Sequence, residues 1–424
     1  MSVLGSGALE PTVDLTGCEE IYSDVLIVGC GVAGLYAALN LPDNLSVEMI
    51  CKDDVATCDS MLAQGGICVQ RDDDDYQPWY DDTMRAGHYE NTPESVDIMI
   101  RESRAVIADL ISVGVDFDRT ADGELDYTRE GAHSRPRILH RADLTGAEIT
   151  TKLLAAVRKR NNVNISEYTT MLDILLDEDG SCVGILACDG AGEPIIFHAG
   201  DVILATGGVG GLYARSTNFR RLTGDGCQIC QRAGVRLDHM DYVQIHPTSL
   251  YTVDSGRAFL ISESCRGEGA ILLNKAGERF CDELQPRDVV SEAIWRQMEL
   301  DDMPYVRLSF ENVPEDVIVN HFFQIYRRCL EEGYDIRYEP IPVVPAQHYL
   351  MGGIWTDTEG RTTMNHLYAA GETSCNGVHG RNRLASNSLL ESMVFSRRAA
   401  LDIAQRQATE PRRPVTTVVT PPQA

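Results

Sequence analysis

Gly29-Cys30-Gly31-Val32-Ala33-Gly34 stands directly between an apolar run, Asp24-Val25-Leu26-Ile27-Val28, and a helical one, Leu35-Tyr36-Ala37-Ala38-Leu39. In that context the spacing describes a diphosphate cradle. The first glycine permits a tight turn, the second lets backbone approach an anion, and the third lets the helix pack closely. The helix N-terminus then offers free N–H groups to the phosphates. A purely structural glycine turn is the competing reading. Two more glycine-rich strand ends, Ala205-Thr206-Gly207-Gly208 and Ala370-Gly371-Glu372, weigh against it, because three such ends suit one long dinucleotide lying across a sheet. They favour FAD. NAD loses support at the end of the second strand, where Cys51 and Lys52 replace the usual ribose-binding acid. Lys52 is a candidate contact to ribose or phosphate, and Glu372 to a hydroxyl of the flavin chain.

A second kind of chemistry lies in Thr128-Arg129-Glu130-Gly131-Ala132-His133-Ser134. A carboxylate such as Glu130, if it faces a ligand, repels anions and pairs with an ammonium group. The alternative is a surface acid neutralised by Arg129 and Arg135.

The elements that must hold these residues follow from periodicity. Residues 24–28 and 47–51 are strands flanking a helix, a βαβ unit that opens a doubly wound sheet. Thr92-Pro93-Glu94 marks a helix start with Thr92 as the capping residue, followed by Val96, Met99, Ile100, Val106, Ile107, Leu110 and Ile111 at helical spacing. A further helix is expected over 146–159. Strands at 163–167, 171–176, 182–187 and 194–198 read as an antiparallel meander, and 201–205 returns to the parallel sheet. Asn274-Lys275-Ala276-Gly277 reads as a hairpin turn, and 287–300 and 314–332 as helices. The expected organisation is an N-terminal extension (1–20), a nucleotide-binding domain in two parts (21–238 and 351–405), an inserted capping domain (239–350) and a disordered tail rich in Pro and Thr (406–424).

The net charge is −27, and of 37 basic residues only four are lysine. Such a surface repels nucleic acid and anionic lipid, so neither is an expected partner, and a dianion site must gather its few positive charges locally. Asp72-Asp73-Asp74-Asp75 is expected as a solvated loop. Thirteen cysteines are scattered without a disulfide-scaffold pattern, and Cys227-Gln228-Ile229-Cys230 lacks the second pair a metal site would want. Reduced helix cysteines are the expectation there, with a redox or metal role as the alternative. No apolar run is long enough to span a membrane, and no leader precedes residue 20, which makes the cytoplasm the default.

Several further motifs point one way. They are Ala63-Gln64-Gly65-Gly66-Ile67, Gly224-Asp225-Gly226, His246-Pro247-Thr248, Arg266-Gly267-Glu268-Gly269 and Pro286-Arg287-Asp288. His348-Tyr349 followed by Gly352-Gly353, and Arg383 followed by Ala385-Ser386-Asn387-Ser388-Leu389, complete the set. From about residue 23 to 403 the chain resembles the flavoprotein family of succinate dehydrogenase, fumarate reductase and L-aspartate oxidase, and most nearly its aspartate-oxidising branch.

The resemblance implies an α/β fold: a Rossmann-like doubly wound FAD-binding domain with an inserted α+β capping domain. The family's C-terminal helical domain is expected to be absent, since the chain stops soon after residue 403. It implies FAD held by residues 29–34, Lys52, Asp59, Ser60, Met61, Leu62, Ala63, Gln64, Gly65, Gly66, Thr206, Gly207, Gly208, Asp225, Glu372, Ser388 and Leu389. Asp59 stands where the dehydrogenases carry a flavin-linked His, so FAD is expected to be non-covalent, and no metal is expected. His246, Ser262, His348 and Arg383 correspond to substrate ligands, Arg287 to the proton-transferring residue, and Glu130 to a position that is Gln in the succinate and fumarate enzymes. The implied reaction takes L-aspartate to iminoaspartate, with oxygen (giving hydrogen peroxide) or fumarate as acceptor. The product would pass to a quinolinate synthase in NAD biosynthesis. A soluble fumarate reductase or succinate dehydrogenase-type flavoprotein is the alternative.

Overall fold

The computed structural model describes residues 17–253 and 256–410. Its main sheet is built around β1 (Glu19–Val28), whose run Val25-Leu26-Ile27-Val28 is apolar because both faces are covered. β1 pairs in parallel with β2 (Val47–Ile50) on one side and with β9 (Pro194–Leu204) on the other. β6 (Val163–Ser166) extends the sheet beyond β2. On the far edge of β9, β8 (Cys182–Cys188) runs antiparallel to its first half and β16 (Leu367–Ala369) parallel to its last residues. β7 (Thr170–Leu176) closes that edge.

Two expectations fail here. The segment at 163–167 is no part of the meander: it is the parallel edge strand β6, with Val163 opposite Val47. The segments at 194–198 and 201–205 are one strand, because β9 keeps its register with β1 throughout while exchanging β8 for β16.

Alternate residues of β1 face two cores, as a pleated strand requires. Val25 and Ile27 pack with Leu35 of α1 (Val32–Asn40), Leu110 of α3 (Pro93–Ser112), Leu153 of α4 (Thr145–Val157) and Leu390 of α10 (Ser388–Thr409). Leu26 and Val28 pack with Phe197, Val202 and, from α5 (Asp225–Arg232), Cys227, Ile229 and Cys230. Cys227 and Cys230 are thus buried helix residues with free thiols. Each fully buried Leu or Ile contributes roughly 1.5–3 kcal/mol.

Two small sheets carry loops toward the cleft. β3 (Ile67–Cys68) and β4 (Tyr127–Thr128) both pair with β5 (Ile138–Leu139), and β15 (Gly353–Trp355) pairs with β10 (Leu237–Asp238) and β17 (Ser374–Cys375). The inserted segment forms an antiparallel sheet in the order β11 (Val243–Leu250), β14 (Ile341–Leu350), β13 (Val306–Ser309), β12 (Ile271–Leu273). Helices α6 (Glu263–Gly267), α7 (Arg287–Asp301), α8 (Glu315–Asn320) and α9 (Phe323–Glu331) surround it, and the segment has its own apolar core around Leu272, Ile294, Leu308 and Phe322. The helix expected over 314–332 breaks between α8 and α9, where Phe322 is buried in that core and His321 stacks on His140 at 4.5 Å. At the expected turn, Gly277 has φ 83° and its N–H donates to Asn274 O at 3.0 Å.

Other local expectations are corrected. Thr92 precedes α3 with no side-chain cap, its Oγ1 lying instead where a Cβ on Gly377 would fall. The acidic run is not all solvated. Asp75 is buried just before α2 (Tyr76–Ala86), because Arg137, fully enclosed, takes Asp75 at 3.0 Å and Asp82 at 2.9 Å as counter-charges. α10 continues to Thr409, four residues into the expected tail, since Ile403 still packs in the first core and Gln407 Nε2 donates to Asp201 Oδ2 at 2.6 Å. Residues 411–424 and 1–16 lie outside the described residues, and Glu19 and Glu20, placed in the extension, already belong to β1.

Candidate functional site

One long cleft, with about 1830 Å³ of empty space including its open mouth, runs from the ends of β1 and β2 to the insert's sheet. At the first end, Gly29 has φ 115°, and a Cβ there would stand 2.1 Å from Ala205 O, so only glycine fits. α1 begins at Gly31 without a side-chain cap, and among its first N–H groups Val32 donates to Ser60 Oγ at 3.1 Å. Gly34 faces away from the cleft: its missing Cβ would meet Gly29 O at 2.0 Å, the close packing expected of the third glycine. Lys52 Nζ pairs with Asp225 Oδ2 at 2.5 Å, bringing two cofactor candidates together across the cleft wall.

In the middle stand two half-buried carboxyl groups that line the cleft. Asp59 accepts from Phe219 N–H at 2.9 Å, its Oδ2 has no partner, and burial pushes its pKa up to about 7. Glu372 accepts from Leu350 N–H at 2.9 Å and is pushed up to about 8 by burial and then by Asp59. A Cβ on Gly208 would overlap Glu372, so Gly208 makes room for that carboxyl and does not itself line the cleft. Met61 also lies off the cleft, its Sδ 3.9 Å from Thr151 Oγ1 on α4. Leu62, Ala63, Gln64, Gly65, Gly66, Thr206 and Gly207 all line it. Ser388 and Leu389 bring the uncapped N-terminus of α10 to the same wall.

The far end gathers charge. β11 and β14 are neighbours, and the register shift after His246 helps set its ring beside His348, centroids 5.2 Å apart. Both rings are held well below the ordinary histidine pKa, by burial first and then by Arg287. His246 Nδ1 lies 3.2 Å from Thr248 N and 3.0 Å from Thr248 O, while Nε2 is buried without a partner. His348 Nδ1 meets Thr217 Oγ1 at 2.7 Å. Arg287 opens α7 and donates from Nε to Glu263 Oε2 at 2.6 Å and from Nη1 to Gln244 Oε1 at 2.9 Å. Arg383 donates to the same Gln244 oxygen at 3.3 Å and to Ser388 Oγ at 2.7 Å, and burial lowers it to about 10. Ser262 caps α6, its Oγ accepting from Ser264 N–H at 3.2 Å.

Glu130, just after β4, is 3% exposed. Its Oε1 accepts from Ser264 Oγ at 2.9 Å and its Oε2 from Ser386 Oγ at 2.6 Å. Gly65 lies so close that a Cβ would come within 2.3 Å of Oε1. Burial and then Glu263 raise its pKa, against the pull of Arg287 and the two serines. The surface-acid alternative does not describe this residue.

Gln244, Glu263 and Ser264 were not among the residues singled out by type and spacing, and Ser386 stood only inside its motif with no role given to it. Gln244 had one readable signal: it shares a strand face with His246 two residues on. Burial alone would raise Glu263, but Arg287 and Arg266 beside it hold its carboxyl below the usual range. It lies between those two guanidiniums, with Arg266 Nη2 at 3.4 Å.

The residues fit a long flavin dinucleotide. The start of α1 opens on the cleft, as a diphosphate would need, unpartnered Asp59 Oδ2, Gln64 Oε1 and His246 Nε2 belong to residues lining the same cleft, and the glycine wall leaves the space a flat ring system needs.

Comparison with known proteins agrees. The FAD binding domain family matches residues 24–389. The L-aspartate oxidase of Clostridium perfringens is 49% identical over 382 residues, 90% of this chain and 86% of that protein. That of Clostridium acetobutylicum is 48% identical over 385 residues, 91% of this chain and 88% of that protein. Among solved structures, an E. coli quinol fumarate reductase superposes with a TM-score of 0.86 at 32% identity, covering 92% of this chain and 71% of that one.

Proposed function

Because the chain belongs to the L-aspartate oxidase family of FAD-binding flavoproteins, we propose that it oxidises L-aspartate to iminoaspartate with non-covalent FAD, and that Glu130 selects the amino group of the substrate. When bound, FAD supplies the two-electron acceptor for the hydrogen on the substrate's α-carbon. The protein's part is to bind, orient and manage protons. Arg383 and Arg287 present donors to the two carboxylates, and Gln244, bonded to both, fixes their spacing. The rings of His246 and His348 are neutral, so they add donors without adding charge. In the tautomer where His246 Nδ1 accepts from Thr248 N–H, Nε2 carries the proton and can donate into the cleft.

Glu130 carries the assignment. Its two serine partners leave lone pairs for the α-ammonium, and among the described residues no charged side chain bonds to it directly. The ammonium must shed a proton as the α-hydrogen leaves, and the contact between Arg287 Nε and Glu263 Oε2 provides an enclosed polar route beginning at the guanidinium. Oxygen or fumarate then takes the electrons, and iminoaspartate passes to a quinolinate synthase in the cytoplasm. Among the described residues no helix is long and apolar enough to cross a membrane.

The test is Glu130→Gln assayed in steady state with aspartate and, separately, in fumarate reduction. Aspartate kcat/KM is expected to fall about tenfold or more beyond any loss with fumarate. Equal losses would remove Glu130 from substrate choice. Anaerobic mixing with aspartate should bleach the flavin, and bleaching by succinate alone would point to the dehydrogenase reading.

A further inference from the structure

Cys30, Cys51 and Cys58 line the nucleotide end of the cleft, and all three thiols are free. Parallel register brings two of them together. Val28 lies opposite Ile50, and Gly29 N–H donates to Ile50 O at 2.8 Å, so the turns after β1 and β2 leave the sheet side by side. Cys30 on the first turn and Cys51 on the second therefore leave neighbouring strand ends, Cys51 being the residue directly after Ile50. Cys30 Sγ also lies 3.9 Å from Ile50 O, and Cys51 Sγ 3.0 Å from Asp53 O. Cys30 is 4% exposed, whereas Cys51 is partly open on the wall where dinucleotide folds ordinarily place a ribose-binding acid.

We propose that Cys30 and Cys51 are a peroxide-sensitive thiol pair, and that their disulfide and bound FAD exclude one another. Hydrogen peroxide transfers one oxygen to the partly open Cys51 sulfur, giving a sulfenic acid and releasing water. The Cys30 sulfur attacks the Cys51 sulfur, the S–S bond forms, and hydroxide leaves with the Cys30 proton as a second water. The two thiols together lose two electrons and two protons, and the peroxide is reduced to two waters. The proposal rests on the functional reading for its oxidant, since oxygen as acceptor yields peroxide at this protein.

Mutual exclusion follows from packing. An S–S bond draws the sulfurs to about 2 Å, well inside their contact distance. The turn that must move has no slack, because a Cβ on Gly29 would stand 2.1 Å from Ala205 O and one on Gly34 would stand 2.0 Å from Gly29 O. Moving it displaces the N–H groups at the start of α1 that face the diphosphate. By linkage, whatever the disulfide costs FAD binding, bound FAD costs disulfide formation.

The experiment exposes the full chain to hydrogen peroxide at low and at saturating free FAD, then measures intact mass, maps disulfide peptides and titrates FAD by flavin fluorescence. Loss of two hydrogens, a Cys30–Cys51 peptide, and FAD affinity weakened about tenfold or more and restored by a thiol reductant would support the pair. Protection by saturating FAD, absence of the bond in Cys51→Ser and its persistence in Cys58→Ser would do the same. A bond involving Cys58, no bond at all, or equal oxidation rates at low and saturating FAD would overturn it. An untreated chain that does not bind FAD would overturn the functional reading and this proposal with it; the other outcomes bear on the thiols alone.

Discussion

Ser386 Oγ lies 2.6 Å from Glu130 Oε2, held there by a residue whose own backbone is left-handed at φ 61°. A non-glycine residue in that region carries strain, and its hydroxyl is one of two that stabilise a buried carboxylate. Removing the hydroxyl in Ser386→Ala raises the pKa of Glu130 further. At any given pH a smaller fraction is then ionised and able to meet an ammonium. The acidic limb of the kcat/KM profile for aspartate should therefore move to higher pH, by about one unit. An unmoved limb would mean that the hydrogen bond does not tune this carboxyl.

Beneath the same loop, Arg137 ties Asp75, Asp82 and His133 into one enclosed network, with Nη1 2.8 Å from His133 Nδ1. Arg137→Met leaves buried Asp75 without its counter-charge and Asp82 with Arg85 alone, which costs about 3–5 kcal/mol and should lower the melting midpoint by roughly 5–10 °C. Adding Asp75→Asn should recover part of the loss. A double variant no more stable than the single one would show that the pairing is not the cause.

Glu372 gives stability a pH dependence in the flavin-free chain. Its folded pKa is raised to about 8, whereas the unfolded group ionises near 4.5. Between those values the unfolded chain releases a proton that the folded chain keeps, so stability falls as pH rises and levels off above about 8. Glu372→Gln removes that penalty. Its melting midpoint without FAD should exceed the native one by more at pH 8.5 than at pH 5. A constant difference would contradict the shift.

The nucleotide frame was legible because glycine spacing, strand and helix all sit within a few residues of each other. The substrate end was legible only through resemblance: Glu130, His246, Arg287 and Arg383 come from four distant stretches, and no local period joins them. Asp75 was misread because a run of like charges looks solvated until its partner, Arg137, far along the chain, is brought beneath it. β6 was misplaced for a similar reason, since its pairing with β2 is set by the sheet and not by the turns around it. Ser264 carries no signal of its own and Gln244 only its place two residues before His246, and the importance of both comes from the charged groups they touch.

The clamp has a definite formal sum. Arg266, Arg287 and Arg383 bring three positive charges, Glu130 and Glu263 two negative ones, and His246 and His348 are neutral, leaving one positive. An amino diacid carries one net negative charge and closes that sum to zero. A plain diacid such as fumarate carries two and overshoots, in an enclosed space where an excess charge is costly. The readiest correction is a proton on Glu130, whose affinity for one is already raised. Fumarate should thus enter with a proton from solvent and aspartate without one, a contrast that calorimetry in buffers of different ionisation heat would register directly.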